Sequence, residues 1–160
     1  MVTSETPLDA LDGRLITELA ERPRAGVLEL ARRLGVARGT VQARLDRLQA
    51  RGIVTGFGPD LDLAAMGYEV EAFTTVELAQ GRLGDVVEHL LAIPEVLEAH
   101  SISGPGDLHC RVVARNNAHL QEVLNRVLDV QGIDRTSTVI ALSRQVPYRV
   151  IPLVAAAAGS

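Results

Sequence analysis

Residues Leu30–Val54 read LARRLGVARGTVQARLDRLQARGIV. Val27, Leu30, Ala31 and Leu34 share one side of a helix over about 27–34. Val41, Leu45 and Leu48, at i, i+4 and i+7, set a second helix that starts near Arg38 and ends at Gly52. Gly35 stands between them, where a left-handed turn is hindered by any side chain. Ala31 is small enough for the helices to cross closely, and Val36 and Val41 fill the corner. Two short helices about a glycine turn form the helix-turn-helix pattern.

The same stretch holds six arginines, at 32, 33, 38, 44, 47 and 51, against one acid, Asp46, in a chain of net charge -4. At about 100° per residue, the side of the second helix opposite its apolar stripe presents Gly39, Gln42, Ala43, Asp46 and Arg47, with Thr40 and Arg44 at the margins. Gly39 and Ala43 would let such a helix sit deep in a major groove. Gln42 and Arg47 have the chemistry to pair with adenine and guanine edges. Arg32, Arg33, Arg38, Arg44 and Arg51 are placed to meet phosphates, which position a protein without reading sequence. Double-stranded DNA is therefore the expected partner. The competing readings are a solvated helix face and a plain three-helix interaction module.

Outward from this stretch, Leu11, Leu15, Ile16 and Leu19 set a preceding helix, with Asp9 as its N-cap, Asp12 in its first turn and Pro23 as its stop. The following IVTGFGPDLD alternates around Gly56, Gly58 and Pro59 and predicts a small hairpin, or wing. The period then changes near Met66–Gly67. Strands are expected over 68–78, 96–103, 108–114 and 135–142, and helices over 81–93 and 118–128. That order, βαββαβ, is the ferredoxin-like split arrangement. Val150, Ile151 and Leu153 are expected to add a short closing strand. The fold class is thus α+β: a winged helix-turn-helix domain over 1–60, a linker over 61–67, and a ferredoxin-like effector and oligomerisation domain over 68–160. The open face of the sheet is expected to be aliphatic and to pair with a second copy. Paired reading helices about 34 Å apart would address a palindrome.

Composition narrows the function. Apolar residues make up 47% of 160 residues, with two Phe, two Tyr and no Trp, so the core is aliphatic. All 16 basic residues are arginine, so no lysine can serve a phosphate loop. Residues 1–59 carry nine arginines against seven acids, and residues 60–160 carry seven against thirteen, which suggests two units with different partners. Cys110 is the only cysteine. It permits no disulfide within the chain, is expected to be a small buried residue, and has redox sensing as its alternative role. His89, His100, His109 and His119 follow no zinc spacing, and no nucleophile has a placed base, so no catalytic group, metal or cofactor is expected. MVTSETPLDALDG lacks the pattern of a signal peptide, and no apolar run reaches membrane-spanning length. A cytoplasmic protein is expected.

Taken together, LDALDGRLITELAERPR, LELARRLGV, TVQARLDRLQARGIV, GFGPDLDLAAMGY, ISGPGDLHCRVVARN and RTSTVIAL, in this order and spacing, resemble the leucine-responsive and asparagine regulators, the Lrp/AsnC family. The resemblance covers nearly the whole chain. It implies a DNA-binding transcription regulator that assembles as a homodimer and often an octamer, with an amino acid or similar small molecule bound between effector domains. Carried over, that effector site would involve Gly104, Gly106 and Asp107 on a turn and Thr136, Ser137 and Thr138 on the facing strand. Asp107 has the charge to pair with a ligand ammonium, and glycine amides can receive a carboxylate. Two positions depart from the family: Ala37 where serine is usual as N-cap of the reading helix, and Phe57 where tyrosine is common. The same resemblance reaches an enzyme alternative, the sirohaem decarboxylases, for which His100, His109 and Arg111 would be the macrocycle-binding candidates.

Overall fold

The computed structural model describes residues 8–159, so the extreme N-terminus, where the absence of a leader was read, lies outside the described residues. The chain divides into two compact units, residues 60–145 and the remainder, the latter uniting the N-terminal segment with the C-terminal tail.

The first unit opens with α1 (Ala10–Glu21), α2 (Val27–Leu34) and α3 (Arg38–Ala50). Asp9 caps α1: its side chain accepts from the Asp12 N–H at 2.9 Å, and Asp12 reciprocates to the Asp9 N–H at 3.2 Å. This capping box satisfies two amides that the first turn would otherwise leave unpaired. Gly35 ends α2 with φ of 70°, the left-handed conformation the turn requires. α3 starts at Ala37 with no side-chain cap, and the Thr40 N–H turns to the Ala37 carbonyl at 3.0 Å. Leu15, Leu30, Ala31, Leu34, Val41, Leu45 and Leu48 form the buried cluster of this unit.

Two expectations fail around these helices. Residues 53–69 contain no strand, so the first unit has no wing among the described residues. The alternation there is interrupted by Gly56, Gly58 and Pro59, and a lone two-stranded hairpin with no apolar face to bury has little stability in water. The expected closing strand is instead α6 (Ile151–Ala157), which packs on α1. Proline in its first turn lacks an N–H that the helix would not use there, and the run Ala155–Ala158 has the highest helix propensity. The β-branched Val150 and Ile151 were outweighed.

The second unit follows the expected order: β1 (Val70–Leu78), α4 (Leu83–Leu91), β2 (Val96–Ser101), β3 (Leu108–Ala114), α5 (Asn117–Leu128) and β4 (Ile133–Ala141). The four strands pair antiparallel in the order β2-β3-β1-β4. One side chain in two faces the helices. Ala72 and Val76 of β1 and Leu108, Cys110, Val112 and Ala114 of β3 join Val86, Leu90, Leu120, Val123 and Val127 in an aliphatic core. Cys110 is buried there, and burial pushes its thiol above the ordinary value.

The other face of the sheet is mixed rather than aliphatic: Phe73 and the exposed Val139 share it with charged side chains. Registers place Glu71, Phe73 and Thr75 of β1 beside His109 and Arg111 of β3, with Glu98 and His100 of β2 beyond. Arg111 binds Glu71 through Nε and Glu98 through Nη1 at 3.2 Å, and Arg144 reaches Glu71 at 3.1 Å. A register shift between Val96 and Glu98 brings Glu98 opposite Arg111. Burial acts to raise the Glu71 pKa, but hydrogen bonds from Arg111 and then Arg144 outweigh it and hold the carboxyl below its ordinary value.

Candidate nucleic-acid interface and effector turn

α3 buries Val41, Leu45 and Leu48 and turns its other side to solvent. Gly39, Thr40, Gln42, Ala43 and Asp46 are all exposed there. Gln42 donates through Nε2 to Asp46 Oδ1 at 2.8 Å, one helical turn on. Nothing lies within 4 Å of a side chain begun at Gly39. This face is open for a groove.

The arginines divide into two groups. Arg44 and Arg47, expected on DNA, are turned back onto the start of α1. Arg47 Nη2 lies 2.8 and 2.6 Å from the two carboxylate oxygens of Asp12, and Arg44 Nη1 lies 3.0 Å from Asp12 Oδ1 while also binding Asp9. Asp12 is fully buried, the one charged group among the buried residues described. Two guanidinium groups and the Asp9 amide supply the partners such a carboxylate requires. Arg33 is held by Glu18 at 2.5 Å, and the bond keeps the Glu18 carboxyl below its ordinary range. Arg32 and Arg38 are exposed and form no ion pair among the described residues; Arg51 is half-buried just past the end of α3. Sequence reading missed Asp9 and Asp12 as partners of α3. Their signal was present, two acids three apart before an arginine-rich helix, but it was absorbed by their capping role.

The effector candidates lie at one end of the sheet. Gly104 and Gly106 take φ of 121° and 86°, and a Cβ on Gly106 would run into Thr75 Cγ2. Asp107 is bound on three sides: its Oδ2 accepts from the Leu78 N–H at 2.7 Å, its N–H donates to the Val76 carbonyl at 2.8 Å, and its carbonyl accepts from Ile102 at 3.0 Å. Thr136, Ser137 and Thr138 pair with Val76, Thr75 and Thr74 on the opposite edge of β1. Thr138 and Thr74 share a hydroxyl hydrogen bond at 3.0 Å on the helix side, so Thr136 and Thr138 face the helices and Ser137 faces away. Within one chain the turn and β4 flank β1: Gly106 lies against Thr75, whose β4 partner Ser137 shares its face, while Thr136 and Thr138 point to the helices.

The residues of the enzyme alternative are engaged with neighbours. His100 bonds Glu98 at 3.1 Å, His109 bonds Thr75 at 3.2 Å and stacks on Phe73, and Arg111 lies between Glu71 and Glu98. Among the described residues no group of three or more His, Cys, Asp or Glu could hold a metal, and no helix is long and apolar enough to cross a membrane.

A glycine-turned helix pair with an open reading face, followed by an α/β sandwich, defines a helix-turn-helix transcription regulator. Comparison with known proteins makes this specific. Residues 8–49 match the AsnC-type helix-turn-helix domain, and residues 71–151 match the Lrp/AsnC ligand-binding domain. The chain belongs to the Lrp/AsnC family. The HTH-type transcriptional regulator Rv2324 of Mycobacterium tuberculosis is 31% identical over 85% of this chain and 93% of its own. The regulator FL11 of Pyrococcus horikoshii is 26% identical over 92% and 97%. Among solved structures, E. coli AsnC superposes with a TM-score of 0.85 at 27% identity over 92% of this chain and 100% of its own. The feast or famine regulatory protein (Rv3291c) of M. tuberculosis, complexed with L-methionine, gives 0.79 at 30% identity over 89% and 97%. The chain is a transcription regulator of this family.

Proposed function

We propose that the protein acts in the cytoplasm as a paired regulator, a homodimer able to build an octamer, that reads a palindromic site with α3. The observation that carries this reading is the open, polar side of α3 opposite a fully buried Val41–Leu48 stripe. Gln42 is the base-reading residue, with Thr40 beside it and Gly39 and Ala43 allowing close approach. Asp46 orients the Gln42 amide: a carboxylate only accepts, so it fixes the amide nitrogen toward itself and leaves Oε1 free for an adenine N6–H. Arg32, Arg38 and Arg51 meet phosphates, and Arg33 joins them by leaving Glu18. Arg44 and Arg47 act through the fold, holding α3 against α1.

An amino acid is the proposed effector, bound where subunits meet at the Gly104–Asp107 turn and the Thr136–Thr138 strand. With Asp107 Oδ2 committed to Leu78, Oδ1 remains to receive an ammonium. The L-methionine bound by the M. tuberculosis relative supports this ligand class. Selection of bound duplexes from a random library, at fixed salt and with each amino acid in turn, tests both parts. A symmetric motif whose enrichment changes with one class of amino acid is expected. Recovery of unenriched sequence would overturn the regulator reading, and a motif indifferent to every amino acid would overturn the effector.

A further inference from the structure

Gly13 breaks a local rule. It is buried inside the twelve-residue helix α1, where glycine is among the least favourable residues. A Cβ added there would stand 2.8 Å from Ala158 Cβ, closer than such atoms approach, with Val154 Cγ1 next at 3.9 Å. Gly13 is therefore the seat of the C-terminal helix. The match to the ligand-binding domain runs to residue 151, where α6 begins, and α6 docks on α1, inside the segment that matches the helix-turn-helix domain of residues 8–49.

The docking is shallow. No residue of α6 is buried, Leu153 is 67% exposed, and a cavity of about 380 Å³ runs along the seam past Ala10, Gly13, Thr17, Ala155 and Ala158. A contact with so little buried apolar surface forms and releases easily. Its covalent position matters as well. α6 follows β4, the strand bearing Thr136, Ser137 and Thr138, after the nine residues 142–150.

We propose that α6 is a latch: the chain's own C-terminal helix binds the Gly13 face of α1 and gives the DNA-binding unit a second tie, through residues 142–150, to the end of β4. Latched, the reading helix of each copy is restricted in the placements it can take on DNA. Released, it hangs on residues 51–69 alone. The consequence for DNA rests on the regulator reading; the docking itself does not.

The test is a sign reversal. In the full chain Gly13→Ala gains helix propensity but obstructs α6 by a 2.8 Å approach to Ala158 Cβ, so it lowers the melting temperature. In the full-length chain with α6 broken by Ala156→Pro, the same substitution raises the melting temperature by about 2–4 °C, because only the propensity term remains. The same sign in both backgrounds would overturn the docking. Binding to paired half-sites at several spacings tests the latch: the full chain prefers one spacing by about tenfold or more, and Gly13→Leu flattens that preference. A reversal of sign with unchanged spacing preference would leave α6 a structural prop and overturn the latch. Should the wild-type chain bind no spacing at all, the regulator reading falls, while the sign reversal still decides the docking.

Discussion

Two arginine networks, one in each unit, use the same chemistry for different ends. At the start of α1, Arg44 and Arg47 converge on Asp12, a carboxylate with no exposure at all. On the sheet, Arg111 bridges Glu71 and Glu98, with Arg144 at the margin, on a face the helices leave uncovered. The first network is anchored by a fully buried carboxylate held between two partly exposed guanidinium groups. The second is a lattice of partly exposed charges, each member able to turn to water. Positive charge in a sequence is therefore not the same as positive charge on offer. Three of the six arginines in Arg32–Arg51 are bound by acids from α1 or its cap, which leaves a reading face much less basic than the sequence suggests.

The contrast sets the order of effects. Asp12→Ala is expected to be the most damaging charge substitution in the protein. It costs about 2 kcal/mol through the lost charge-assisted hydrogen bonds to two guanidinium groups that both reach solvent, and loss of the capping box adds roughly 1 kcal/mol. Denaturant unfolding followed in the first unit measures it, and a loss below about 1 kcal/mol would remove Asp12 as an anchor. Next comes DNA binding. Gln42→Ala costs about 1–3 kcal/mol at the selected site and relaxes preference at a single base pair. Arg38→Ala reduces the salt slope by about one, whereas Arg47→Ala lowers stability and leaves the slope unchanged. If Arg47→Ala instead lowered the slope as Arg38→Ala does, Arg47 would be a phosphate contact that leaves Asp12 on binding.

The smallest effect belongs to the sheet. Arg111→Ala costs on the order of 1 kcal/mol at neutral pH. Hydrogen bonds from His100 and then Arg111 hold Glu98 below its ordinary value of 4.5, and Glu71 lies below that value too. A carboxyl with a depressed folded pKa contributes stability in full above its unfolded value, and loses it as pH falls through the folded one. The gap between wild type and Arg111→Ala should therefore be constant above about pH 5 and close as pH drops below 4.5. A gap that widened in acid would mean that Arg111 is not held by these two carboxylates.

The element order was legible because it is written in period. Leu83, Val86, Val87 and Leu90 mark α4 by themselves, and the alternation of 108–114 assigns His109 and Cys110 to opposite faces, as the structure has them. The wing and the tail were misread for a shared reason. Short alternation near glycine and proline, or two β-branched residues before an alanine run, carries too little local free energy to decide a conformation, and tertiary partners decide it instead. The open sheet face was misread differently. Beside the apolar Phe73 and Val139, its outward positions hold Glu71, Glu98 and Arg111, which meet only once the strands are in register.

Hydrophobic period, helix caps and the Gly35 turn depend on residues a few positions apart, so the order of amino acids by itself determined the helix-turn-helix and the βαββαβ sequence of elements. Which charges meet does not depend on neighbours in the chain. Asp12 and Arg47 are 35 residues apart, and Gly13 and Ala158 lie at opposite ends of the protein. Only the packed structure decided that the reading arginines answer to α1 and that the tail returns to it, because ion pairing and close packing act over a few ångströms of space regardless of distance along the chain.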